Sequence, residues 1–124
     1  MAKKSEKDEE REYRISNEII VDAYDDEERA AGWYYYLEET LHFPFLTTCI
    51  AYRAISPLRV KDEVEAIDLA PYEECEHEIF VMMRWDREEG LGVPLSQLKV
   101  VHGDEDTRQA VEDWNYWIRQ GYRY

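Results

Sequence analysis

All of the net charge of this chain falls on the part that has to fold, so any architecture for it must carry that charge at its surface. Residues 1–14 hold five basic residues (Lys3, Lys4, Lys7, Arg11, Arg14) and five acidic ones (Glu6, Asp8, Glu9, Glu10, Glu12). The formal charge of -14 therefore belongs to residues 15–124. Self-repulsion of this kind opposes a compact state, and in a chain poor in apolar residues it would leave the polypeptide unfolded. Here 44% of the residues are apolar and 14% aromatic, within a length of 124. That is enough for one core without help from disulfides or a structural metal. We expect a disordered charged leader over residues 1–14 and a single acidic domain over residues 15–124.

The sign of the charge sorts the partners. Phosphate surfaces are bound by Lys and Arg that displace counterions, so neither nucleic acid nor a phospholipid membrane is an expected partner. Cations and basic proteins are what such a surface attracts. No run approaches the roughly 18 apolar residues of a membrane span, and the N-terminus lacks the apolar stretch of a secretion signal. The expectation is a cytoplasmic monomer. Cys49 and Cys75, two isolated cysteines in a reducing compartment, read as small apolar residues, with a disulfide or a zinc site with His77 as the alternatives.

Periodicity gives an α+β layout. Ser16 to Val21 reads as a short helix or a strand, and we lean to helix. Asp25 or Asp26 caps a clearer helix running to about Leu41, with Glu27 and Glu28 in its first turn. Its apolar stripe is Ala30, Trp33 or Tyr34, Leu37 and Leu41, and Gly32 leaves room for a close neighbour. His42-Phe43-Pro44 stops it. Leu46–Arg53, Val64–Leu69 and Cys75–Trp85 read as strands. Arg87 to Gly90 turns into a fourth at Leu91–Val93, and Pro94–Leu98 forms one helical turn before a fifth at Lys99–Val101. A final helix begins near Asp104, buries Thr107, Ala110, Val111, Trp114, Trp117 and Ile118, and stops at Gly121. The predicted architecture is a small SH3-like five-stranded β-barrel flanked by an N-terminal helical segment and a C-terminal helix.

Nothing in the sequence assembles a catalytic constellation. His42, His77 and His102 are scattered, no serine sits in a nucleophile elbow, and the glycines mark turns rather than a phosphate loop. Carboxylates are the remaining functional material. Calcium takes six to eight oxygen ligands at roughly 2.3–2.6 Å, and three clusters offer them: Asp22 with Asp25, Asp26, Glu27 and Glu28; Glu73 to Glu78; and Asp104 with Glu105 and Asp106. No EF-hand is present, because the sixth loop position is Gln109 counting from Asp104 and Glu27 counting from Asp22, where glycine is required. Any site has to be assembled from separate segments. Asp25–Glu28 and Asp104–Asp106 read equally as helix caps, and Glu74, Glu76 and Glu78 as a solvated strand face.

Glu38 and Glu39 differ from these. They fall in the last turn of a helix, where free carbonyls already make the end negative and an added anion is unfavourable by about 0.3–1 kcal/mol. Either a bound cation or a neighbouring Arg would offset them. The candidate calcium ligands are therefore Glu38 and Glu39, followed by Asp22, Asp26, Asp104 and Asp106.

Three stretches carry a resemblance: Ile19-Ile20-Val21-Asp22-Ala23-Tyr24; Gly32-Trp33-Tyr34-Tyr35-Tyr36-Leu37-Glu38 with Phe43-Pro44-Phe45; and Val93 to Leu98 with Glu112-Asp113-Trp114-Asn115-Tyr116-Trp117. Together they resemble the CcbP-type calcium-binding proteins of cyanobacteria, over nearly all of residues 15–124. The resemblance implies a non-EF-hand calcium binder that buffers or regulates free calcium, with a compact β-rich fold. It supplies no ligand list. The alternative reading is an SH3-like acidic module that docks a basic protein partner through its Trp and Tyr patches.

Overall fold

The computed structural model describes residues 8–85, 88–122 and 124. Asp8 begins it by accepting a hydrogen bond from the Arg11 amide and capping α1 (Glu9–Arg14). Residues 8–14, placed by the sequence reading in a disordered leader, are thus ordered in part as helix. The reason is long-range: Arg14 grips the fully buried Asp113 with two hydrogen bonds of 3.0 and 2.7 Å, and Arg11 adds a contact of 3.3 Å. The expected helix over Ser16–Val21 is instead one turn of π-helix, Ile15–Ile19, closed by the Ile20 amide on the Ile15 carbonyl.

The next helix, α2 (Asp26–Thr40), has Asp25 as its cap and buries Ala30, Trp33, Tyr34 and Leu37. Both aromatics of the either-or stripe are inside. Gly32 permits the π-turn to sit directly on this helix: a β-carbon there would lie 2.7 Å from the Ile19 carbonyl oxygen.

The strands are β1 (Phe45–Cys49), β2 (Glu63–Leu69), β3 (Phe80–Trp85), β4 (Glu88–Pro94) and β5 (Leu98–His102). They form one antiparallel sheet in the order β4-β3-β2-β1-β5. Strand number and the helical turn before the last strand, Leu95–Gln97, match the expectation. Barrel closure does not, because β4 and β5 are the two edges of an open sheet. The turn between them spends its hydrogen bonds elsewhere. Leu95 donates to the Ile79 carbonyl at 2.9 Å, and the Gln97 carbonyl accepts from Ile50 at 2.7 Å. The last helix, α3 (Glu105–Arg119), packs against this turn and β5.

The third strand is shorter than the Cys75–Trp85 run suggested. Tyr72–Cys75 is a 3₁₀ turn, and the Cys75 thiol sulfur accepts from the Phe80 amide at 3.4 Å, so pairing starts only at Phe80. Glu74, Glu76 and Glu78 therefore do not share a strand face, and Glu78 is bound by Arg53 at 2.7 and 2.8 Å. In the expected turn Arg87 to Gly90, Arg87 lies outside the described residues.

Helices and sheet enclose a core centred on aromatic rings. Trp33 of α2 meets Trp114 edge-on at 5.1 Å and Trp117 at 6.1 Å, both from α3. Cys49 and Cys75 are unbridged and buried. Among the described residues no helix is long and apolar enough to cross a membrane.

Candidate metal centre

The last turn of α2 contains no basic residue. Leu37 points into the core, which leaves Glu38 and Glu39 exposed at the carbonyl-rich end of the helix. Neither has an ion-pair partner among the described residues, so no described Arg takes the neighbouring place that sequence reasoning kept open.

Glu38 opens onto a hollow of about 450 Å³, whose second carboxylate is Asp68 of β2. Sequence reasoning missed Asp68. Strict alternation would put it on the face of Val64 and Ala66, which are buried, but an irregularity in the β2–β3 register between Ala66 and Asp68 shifts the pattern, so Leu69 is buried and Asp68 exposed. Tyr34 lines the same hollow and donates its hydroxyl to the Ala70 carbonyl at 2.7 Å. Its pKa is pushed up to about 12, first by burial, then by Cys75 and by the negative field of the Glu38, Asp68 and Glu73 carboxylates. That field identifies a locally anionic region, where a phenolate is disfavoured and a cation favoured.

The other candidates are dispersed. Asp22 stands exposed in a turn with a φ of 57°, a left-handed conformation that Asp tolerates better than most residues. Asp26 is paired with Arg29, whose guanidinium also reaches the Tyr124 main-chain oxygen. Asp104 caps α3 by accepting from Thr107 at 2.8 Å and is bonded to His42 Nδ1. Those contacts, the Thr107 amide foremost, hold its pKa down to about 2. Asp106 is exposed in the first turn of α3. Among the described residues no group of three or more His, Cys, Asp or Glu side chains is arranged to hold a metal ion. The six candidates therefore do not converge.

The donor chemistry nevertheless suits calcium, a hard cation that takes oxygen ligands and accepts backbone carbonyls and water beside carboxylates. Glu38 and Asp68, from separate segments, supply two carboxylates beside a helix end rich in carbonyls.

The model of the CcbP-type family, described as calcium binding, matches residues 13–118. The chain belongs to the CcbP calcium-binding family. Two solved structures agree with this. The crystal structure of CcbP from Anabaena is 40% identical, with a TM-score of 0.84, and the match covers 97% of this chain and 98% of that one. A calcium-binding protein in its calcium-binding form is also 40% identical, with a TM-score of 0.82 and coverage of 94% and 95%. No curated protein matches the chain. The CcbP family is one of calcium-binding proteins, not of enzymes.

Proposed function

We propose that this CcbP-family chain acts as a cytoplasmic, monomeric calcium buffer or regulator whose single domain holds the ion at the C-terminal end of α2. Glu38 is the principal ligand, with Asp68 across the hollow and Glu39 beside it. The observation that carries this reading is the convergence of Glu38 and Asp68 on one hollow at a helix terminus without a basic residue. Asp22 and Asp106 stand as outlying, weaker sites. Asp26 and Asp104 would have to give up Arg29 and the α3 cap respectively before binding an ion, which ranks them last.

Calorimetric titration with calcium, with magnesium as the control, tests this placement. Glu38→Gln together with Glu39→Gln removes two anionic donors while keeping shape. Affinity at the site is expected to fall at least about tenfold, or about 1.4 kcal/mol. Glu9→Gln with Glu10→Gln, two exposed carboxylates of α1, is the comparison and should weaken calcium only through net charge. Equal losses in the two double variants would move the site away from α2.

A further inference from the structure

The outward face of the sheet carries an apolar strip that the calcium reading does not use. Asp68, Met82 and Gly92 are register partners across β2, β3 and β4. Their neighbours Ala66, Val81, Met83 and Val93 point to the core, so this row points away from it. Gly92 contributes no side chain, and a hollow of about 390 Å³ lies between Met82, Phe80 and Pro71. It adjoins the hollow of Glu38 and Asp68, and the two share Pro71 and Met82. The continuous groove therefore has an apolar floor and an acidic rim of Glu38, Asp68 and Glu74. None of the three carboxylates is in an ion pair among the described residues. Beyond Tyr34 the groove runs toward two exposed aromatics, Tyr35 and Tyr72, stacked with centroids 6.0 Å apart.

We propose that this groove docks a basic peptide segment of another protein, with one apolar or aromatic side chain seated beside Met82 in the Gly92 notch and flanking Lys or Arg on the acidic rim. Charge complementarity selects the occupant. A chain of net charge -14 repels acidic segments, and unpaired rim carboxylates steer cationic ones and fix their register. The apolar floor supplies what charge alone does not, because a desolvated anchor in a central pocket dominates affinity while rim charges add little. The tyrosine pair extends the same preference, since a cation is attracted to the face of an aromatic ring. The proposal goes beyond calcium binding and does not depend on it, although Glu38 and Asp68 serve both.

The test is fluorescence anisotropy in EDTA, so that calcium plays no part. The probe is a short labelled peptide with lysines flanking a leucine–phenylalanine pair; a lysine-only peptide and an acidic counterpart are the controls. The amphipathic basic probe is expected to bind at least about tenfold more tightly than the lysine-only one, and the acidic one not to bind. Gly92→Ile fills the notch: its φ is not in the left-handed region, and the nearest atom to a new β-carbon is the Met82 sulfur at 3.8 Å. Glu74→Lys reverses a rim charge on an exposed turn. Gly92→Ile should weaken the probe about tenfold and Glu74→Lys by a smaller factor, while calcium affinity changes only by what the altered net charge accounts for. Should Gly92→Ile perturb folding, as circular dichroism would show, the comparison of the two basic peptides on the parent protein decides. Equal binding of the two basic peptides, or indifference to the variants, overturns the proposal in favour of diffuse charge attraction.

Discussion

Asp113 shows how far a single residue can depart from its local pattern. On α3 it falls three residues after Ala110 and four before Trp117, both in the buried stripe, yet its charge gives no local reason for it to be inside. Its main partner, Arg14, is 99 residues away in sequence, and the two form a forked ion pair with Asp113 fully shielded from water. Removing one member of a buried pair strands the other charges, which is far more damaging than losing an exposed pair. Asp113→Ala is therefore expected to destabilise the fold by about 3 kcal/mol, with α1 losing its anchor. Urea denaturation checks this, and a change below about 0.5 kcal/mol would place the contact among ordinary surface pairs. Asp68 was illegible for a related reason. A one-residue irregularity in strand register turns it outward, and only the pairing of β2 with β3 reveals that irregularity. The place of Glu38 at the negative end of α2 was legible because it is a local property of sequence.

At the level of elements, the features that could be read in advance depend on near neighbours. The caps Asp25 and Asp104, the stripe of α3 from Thr107 to Trp117 and the turn after Pro94 follow from periodicity and capping chemistry and occur where expected, although Ile118 is only partly buried and Asn115 and Tyr116 are buried beside the stripe. Barrel closure, the start of β3 and the ordering of α1 depend on contacts between distant segments, and those expectations were corrected. Gly32 lies on the boundary between the two kinds. Its place in a helix is a local weakness, while its purpose is the Ile19 carbonyl packed against it. Gly32→Ala gains about 1 kcal/mol of intrinsic helix preference. It also forces a methyl group to within 2.7 Å of a backbone oxygen that cannot swing aside. Overpacking of this type costs about 1–3 kcal/mol. The net expectation is a lower melting temperature, with the π-turn displaced from α2. A variant more stable than the parent would mean that this contact is soft.

For the molecule as a whole the dominant fact is charge. Twenty-nine carboxylates against fifteen Lys and Arg leave a folded state under its own repulsion, and a divalent cation bound only to that state relieves repulsion in addition to its mass-action effect. Millimolar calcium should therefore raise the melting temperature well beyond an ionic-strength-matched sodium salt, with about 2.7 kcal/mol gained when free calcium is a hundredfold above its dissociation constant. Equal melting temperatures in the two salts would contradict specific binding. The aromatic junction between α2 and α3 bears on how such binding can be followed. Trp33 is five residues ahead of Glu38 on the same helix, and its ring centroid lies 5.1 Å from that of Trp114. Indoles this close exchange excitation, and the exchange depends steeply on their separation and angle. Any calcium-driven shift of α2 against α3 is therefore written into the near-ultraviolet spectrum of the unlabelled protein.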